Sequence, residues 1–246
     1  MIDWLNDKTF KMGSVDFTID ITPGSERRQS LQNNFTLVKT KGYIQNYLDL
    51  DLDLDRHYKN ILELGLFQDG SLVFFDQLFK PEKIVGVELS KVSIDALNEY
   101  IKDQKGRVKA YYGTSQGDIN HLEAIVTKDF GGQLDLVIDD ASHLYELTRA
   151  SFVTLFPLPQ PGGTYIIEDW AWNHRQNAQV GSHPWQDQPA LTNLIYQLIS
   201  ELGGSNNIED ILINNNMVKI RKKKSAGLGS EVIQHSYLRG KKIPLI

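Results

Sequence analysis

NILELGLFQDGSLVFFDQLFKPEKIVGVELS, residues 60–90, decides the fold. A short apolar run (60–66) leads into a glycine-bearing turn, a stretch with helical apolar spacing from Ser71 to Leu78, and a second apolar run (83–89). Apolar runs of that length, bounded by turn residues and separated by a helix, are buried parallel strands joined by a crossover. Working outward, the alternation continues through RVKAYYG (107–113), QLDLVIDD (133–140) and GGTYIIEDW (162–170). Helical spacing recurs between these runs at Lys91 to Ile101, Ile119 to Val126 and Tyr145 to Phe156, with Ser90 and Asp118 as expected N-caps. This order predicts a doubly wound α/β sheet. Ala190 to Leu202 reads as one more helix. DILINNN (210–216) and MVKIRKK (217–223) read as an antiparallel hairpin closing the sheet edge, for seven mostly parallel strands in all.

Toward the N-terminus, residues 1–55 lack this alternation and read as an extension covering the substrate side, with a helix expected within Arg28 to Tyr47. LDLDLDLD (48–55) reads as a solvated connection into the main domain, residues 56–246. Residues 170–189, WAWNHRQNAQVGSHPWQDQP, hold three tryptophans and two histidines without periodicity. They are expected to form a loop over the sheet end where ligands bind. The basic run Arg221 to Lys224 is expected at a solvated strand end.

Composition excludes several classes. With no cysteine in 246 residues, disulfides, thiolate nucleophiles and cysteine-ligated metals are ruled out, so any metal takes oxygen or nitrogen ligands. A net charge of −5 argues against affinity for nucleic acid built on phosphate neutralisation. The hydrophobic share of 41% is that of a globular chain. No stretch approaches the ~18 apolar residues of a membrane span, and the start, MIDWLNDKTF, lacks a signal-peptide layout, so a cytoplasmic address is expected. A homo-oligomer is compatible with this composition.

In an open parallel sheet, ligands bind beyond the C-terminal strand ends. After the first strand, Glu63, Gly65, Gly70 and Ser71 form a candidate cofactor loop, where glycine permits close backbone approach and a helix presents its N–H groups. Ser71 stands where a P-loop would have lysine, and the G-x-G-x-x-G pattern is absent. Glu88 ends the second strand, about 20 residues on, where an acid can bond both ribose hydroxyls. Glycine loop plus acid fits either a nicotinamide or a sulfonium cofactor. Strands four and five end in Asp139, Asp140 and His143, and in Glu168 and Asp169. Carboxylates converging on adjacent strand ends repel one another unless a cation neutralises them, and hard oxygen donors select Mg²⁺, Mn²⁺ or Ca²⁺. His143 is the natural base at neutral pH beside such an ion.

The segments VIDDASH, PGGTYIIEDW and ILELG resemble the metal-dependent S-adenosylmethionine (SAM) methyltransferases that tailor macrolide antibiotics, and the related cephalosporin hydroxylase-type proteins, over residues 58–170. The resemblance implies a class I, Rossmann-like SAM methyltransferase domain acting on a hydroxyl of a small-molecule natural product. It implies Mg²⁺ (or Mn²⁺) on Asp140, Glu168 and Asp169, and His143 as general base. Glu63 and Gly65 would approach the methionine part of SAM, and Glu88 its ribose. Ser115, Gln116 or Asp118 would lie on the adenine side, and Asp139 at the amino-acid end. Ala141 departs from the glycine of the D-G-S-H form, and the large N-terminal domain of the macrolide enzymes is expected to be missing, so acceptor contacts made there do not carry over.

Rival readings lack support in the residues. Nucleic-acid and protein N-methyltransferases usually carry [DNS]-P-P-[YF] where this chain reads DDAS, and a cytosine C5 enzyme needs a cysteine. A non-catalytic SAM- or metal-binding accessory protein would not require the full set of carboxylates and histidine. Hydroxylase chemistry would need an iron facial triad, which no spacing assembles. The tryptophan-rich loop suits a moderately apolar acceptor, such as a polyketide or glycoside.

Overall fold

The computed structural model describes residues 2–49, 57–68, 70–179, 185–204, 207–226, 233, 237–242 and 244–245. Most of LDLDLDLD, and His183 of the tryptophan-rich loop, lie outside the described residues. The chain divides into two compact units, residues 1–115 and 116–246.

In the first unit, β1 (Asp3–Trp4), β2 (Thr9–Met12), β3 (Val15–Ile19) and β4 (Asn34–Leu37) form a small four-stranded sheet, followed by α1 (Lys41–Asp49). This sheet corrects the expectation that the N-terminal extension has no strand pattern. Its signal is present: Phe10, Met12, Val15, Phe17 and Ile19 are buried on either side of a two-residue Gly13-Ser14 turn, with Met12 opposite Val15. Then come β5 (Asn60–Leu64), α2 (Gly70–Phe79), β6 (Lys83–Glu88), α3 (Asp95–Lys102) and β7 (Val108–Tyr112), with β5, β6 and β7 paired in parallel.

Helix α2, GSLVFFDQLF, is apolar on nearly every face, and such a helix must be covered on all sides. The N-terminal sheet provides part of that cover. Phe74 meets Phe10 and Phe17 edge to face at 6.2 and 6.1 Å, and Phe75 meets Tyr47 of α1 at 5.0 Å. Each such ring contributes about 1.5–3 kcal/mol when fully buried. The charged residue of α2 is the buried Asp76, which pairs with the Arg107 guanidinium and accepts from the Tyr100 hydroxyl. Burial and that carboxylate push the Tyr100 phenol above its ordinary range.

The second unit holds α4 (Ile119–Phe130), β8 (Leu134–Asp139), α5 (Tyr145–Leu155), β9 (Pro159–Glu168), α6 (Thr192–Gly204), β10 (Ile208–Ile213) and β11 (Met217–Lys222). Strands β8 and β9 are parallel; β11 runs antiparallel to both β9 and β10, so the expected closing hairpin forms. Asp118 caps α4 as expected, accepting from the His121 amide, and Gly131 ends the helix in the left-handed conformation. Phe152 of α5 stacks on Phe156 at 4.8 Å and packs on Tyr165 of β9 at 4.9 Å.

The strand order is β10-β11-β9-β8-β5-β6-β7, and within each unit the strands pair in parallel except at β11. Two local expectations fail. Ser90 does not cap a helix: α3 starts only at Asp95, and the Ser90 hydroxyl instead accepts from the Val92 amide in a tight turn. The basic run is not wholly solvated, since Lys222 is 1% exposed and its ammonium donates to the Pro157 and Pro159 carbonyls at 2.6 and 3.1 Å. Burial lowers the pKa of that ammonium.

Gly70 opens α2 directly against β4. A Cβ there would lie 2.1 Å from the Thr36 carbonyl oxygen, and backbone cannot yield as a flexible side chain does. Gly70→Ala is expected to cost about 1–3 kcal/mol through overpacking. For a chain of this size the thermal midpoint then falls by roughly 2–4 °C per kcal/mol. An unchanged midpoint by circular dichroism would show that this approach does not constrain the fold.

Candidate active site

In the first unit the strand ends build a loop around one carboxylate. Glu88 Oε2 accepts from the Leu66 and Phe67 amides at 3.0 and 2.8 Å, and Oε1 accepts from the Ser90 amide at 2.8 Å. Three backbone donors hold the charge and bend the chain after β5. The bend places Gly65 at φ 89° and Phe67 at φ 49°, a left-handed conformation unusual for an aromatic residue. Phe67 is left 62% exposed. Glu63 is fully buried on β5 opposite Gly86, and Ser71 is buried in the first turn of α2. Gly70 is explained by its packing on Thr36, so it meets backbone there. Ser115 ends this unit, half-buried.

In the second unit Asp140, His143 and Asp169 bring one ligand atom each to within 4.8 Å of the others, all three half-buried. His143 Nε2 lies 3.8 Å from Asp140 Oδ1. The sheet register explains the gathering: Asp139 ends β8 opposite Ile167 of β9, so the residues that follow both strands emerge side by side. Of the residues expected to hold a metal, Asp140 and Asp169 fall in this group. Glu168 is buried at the end of β9, 1% exposed, and is outside the group of three.

His143 and Asp169 share a constraint. Their φ angles are 55° and 49°, and left-handed backbone in non-glycine residues costs roughly 1–3 kcal/mol each, recovered only where neighbours fix it. Trp172 fixes both: its indole N–H donates to the His143 carbonyl at 3.2 Å, and its backbone N–H donates to the Asp169 carbonyl at 3.2 Å. The Asp169 amide donates in turn to the Asn216 carbonyl at 2.7 Å. Arg175 from the same loop contacts Asp169 Oδ1 at 2.9 Å. His174 bonds the Thr192 hydroxyl at the start of α6, and the Trp170 indole donates to Asn214 at 2.7 Å. The tryptophan-rich segment is thus tied down locally and contributes Trp172 and Arg175, neither of which the sequence singled out.

Gln116 and Asp139, expected near the cofactor's adenine and amino-acid ends, meet each other. The Gln116 amide nitrogen lies 2.7 and 2.8 Å from the two Asp139 oxygens, and Asp139 Oδ2 also accepts from Ser151 Oγ at 2.9 Å and the Tyr165 hydroxyl at 2.8 Å. Asp139 is 2% exposed, and burial raises its pKa against the opposing pull of the Tyr165, Ser151, His143 and Gln116 contacts. Asp118, expected on the same adenine side, spends one carboxylate oxygen on the cap of α4.

No protein-family model matches the chain. Among curated proteins it is similar to mycinamicin VI 2''-O-methyltransferase of Micromonospora griseorubida, 32% identical over 130 residues, which are 47% of this chain and 30% of that protein. It is also similar to demethylmacrocin O-methyltransferase of Streptomyces fradiae, 28% identical over 162 residues, covering 60% of this chain and 38% of that protein. The chain therefore spans less than half the length of these relatives. Among solved structures, the MycE methyltransferase of the mycinamycin pathway, in complex with Mg, SAH and mycinamycin VI, has a TM-score of 0.57 at 24% identity, covering 73% of this chain and 49% of that one. An O-methyltransferase from Bacillus cereus in complex with SAH has a TM-score of 0.52 at 17% identity, covering 72% of this chain and 80% of that one. The mostly parallel seven-stranded sheet is that of the class I methyltransferases.

Proposed function

We propose that the chain catalyses SAM-dependent transfer of a methyl group to a hydroxyl of a small-molecule natural product, a polyketide, macrolide or glycoside, with Mg²⁺ or Mn²⁺ in the site. The observation that carries this reading is the gathering of Asp140, His143 and Asp169 within 4.8 Å on the sheet that O-methyltransferases use. The names of two curated relatives, mycinamicin VI 2''-O-methyltransferase and demethylmacrocin O-methyltransferase, support the same acceptor class.

The donor set fits a hard divalent ion. Asp140 and Asp169, with Glu168 ending β9 directly before Asp169, offer carboxylate oxygens and no sulfur. Glu63 and Glu88 with the Gly65 turn fit the polar ends of SAM in the first unit, where Glu88 already fixes the loop's shape. When bound, SAM supplies a methyl group on sulfonium and leaves as a neutral thioether, while the metal supplies positive charge that makes the acceptor hydroxyl more acidic. The His143 imidazole takes the hydroxyl proton at a ring nitrogen. The Asp140 carboxylate lies 3.8 Å from Nε2. Trp172 keeps the backbone of His143 and Asp169 in the conformation that presents both side chains together.

Two measurements test the reading. Calorimetric titration of Mg²⁺ should show binding that Asp140→Asn abolishes, and SAM and its demethylated product should bind wild-type protein; absence of SAM binding with and without EDTA would leave only a metal- or nucleotide-binding module. His143→Ala should lower turnover of a hydroxylated acceptor by about 10²–10⁴-fold, the usual contribution of a general base, with Mg²⁺ and SAM affinities kept. Near-wild-type turnover in that variant would remove the base from the mechanism, and loss of Mg²⁺ would make His143 a ligand instead.

A further inference from the structure

We infer that Gln116 is a positioning residue for the Asp140–His143 turn, and that it acts by linking the buried Asp139 carboxylate to Ser142. This inference rests on the methyltransferase reading, because the turn it positions is the one that carries the base and a metal ligand.

The argument begins with Asp139. Its side chain is sealed in the second unit at 2% exposure, where an ionised carboxylate needs donors on every side. Ser151 of α5 and Tyr165 of β9 each give one hydroxyl, and Gln116, ahead of α4, gives the amide nitrogen. The Ser151 hydroxyl also receives that nitrogen at 3.0 Å, so both amide hydrogens have acceptors. The Ser142 backbone N–H can only donate, which fixes the orientation of the Gln116 amide: oxygen toward Ser142, nitrogen toward Asp139.

The oxygen is therefore aimed at the next turn. Gln116 Oε1 accepts from Ser142 Oγ at 2.7 Å and from the Ser142 amide at 3.3 Å. Ser142 Oγ in turn accepts from the Leu144 amide at 3.2 Å, so Ser142 is bound on both sides of His143. Asp139 and Ser142 bracket the two residues Asp140 and Ala141, and His143 follows in its left-handed conformation. One side chain with a donor end and an acceptor end thus clamps the turn at both ends. Glutamine alone has both ends at this length: glutamate would set a second carboxylate against Asp139, and methionine would keep the volume but lose both bonds. Gln116 is itself 5% exposed, with its amide nitrogen and oxygen both engaged in this network.

The test compares two bindings in each variant: Mn²⁺, followed by electron paramagnetic resonance, and S-adenosylhomocysteine, followed by calorimetry, with thermal melting as the check on folding. Loss of a partner that orients metal ligands typically weakens metal binding or activity about 10–100-fold. Gln116→Met is expected to weaken Mn²⁺ by that factor and leave S-adenosylhomocysteine affinity within about twofold, a margin small beside the tenfold that each 1.4 kcal/mol represents. Ser142→Ala, at a half-exposed position, should weaken Mn²⁺ in the same direction without lowering the melting midpoint. The exchanged pair Gln116→Glu with Asp139→Asn restores a donor facing an acceptor and should recover Mn²⁺ affinity that Gln116→Glu alone loses. Loss of S-adenosylhomocysteine with Mn²⁺ retained would make Gln116 a cofactor contact and overturn the inference. Unchanged Mn²⁺ affinity in both Gln116→Met and Ser142→Ala would overturn it as well. If wild-type protein binds neither probe, the methyltransferase reading falls and the inference with it, an outcome distinct from the other two because it precedes any substitution.

Discussion

A carboxylate buried beneath the end of β8 sets the terms for the second unit. Asp139 lies inside the protein, and each ion taken out of water costs several kcal/mol unless hydrogen bonds replace the lost hydration. Its donors come from three separate places in the chain: Gln116 before α4, Ser151 on α5 and Tyr165 on β9. Meeting that one requirement fixes how a helix, a strand and a loop approach the strand end that carries Asp140. Burial outweighs the donors, so the folded-state pKa of Asp139 is raised. Folding then favours the protonated form, and the stability associated with this group is present below its unfolded pKa and declines as pH rises through its folded value. At neutral pH the group costs stability. What it contributes is geometry.

The same trade recurs one layer out. His143 and Asp169 stand in left-handed backbone that neither residue type prefers, and Phe67 does so in the first unit. Each is tied by a hydrogen bond that reaches outside its own turn: the His143 carbonyl to the Trp172 indole, the Asp169 amide to the Asn216 carbonyl, and the Phe67 amide to Glu88. A non-glycine residue held there by convergent donors marks a position where side-chain direction is fixed at the expense of local stability.

The strands, the helices and the strand-end acids were legible in the sequence because their signals are local. Apolar runs and helical spacing place β5 to β9 within a few residues, and Asp118 caps α4 because an aspartate directly before an apolar helix finds its amide nearby. The partners were not legible. Gln116 and Asp139 are 23 residues apart and Trp172 and His143 are 29 apart, and nothing in either neighbourhood encodes the pairing. The N-terminal sheet differs: its alternation of Phe10, Met12, Val15, Phe17 and Ile19 is as clear as any in the chain, but it spans only two short strands of a mixed sheet, and so brief a pattern does not by itself specify the other strands. Its necessity is visible from α2, whose all-round apolar surface demands more cover than the parallel strands alone provide.

The acids differ in the kind of partner that holds them. Glu88 is held by three backbone amides and Asp139 by buried side chains packed in the core; such donors do not leave when a ligand arrives. Asp169 instead contacts Arg175, whose side chain is 50% exposed, in the range where an ion pair is worth roughly 0–1 kcal/mol. Exchanging that guanidinium for a divalent cation therefore costs little in broken contacts, and a freed arginine remains solvated. Asp140 likewise faces His143, a group that changes charge by taking up a proton. Fixed donors hold Glu88 and Asp139, while Asp169 meets a half-exposed guanidinium and Asp140 lies beside an imidazole. The proposed chemistry at the second unit therefore rests on Asp140, His143 and Asp169, with Asp139 beneath them.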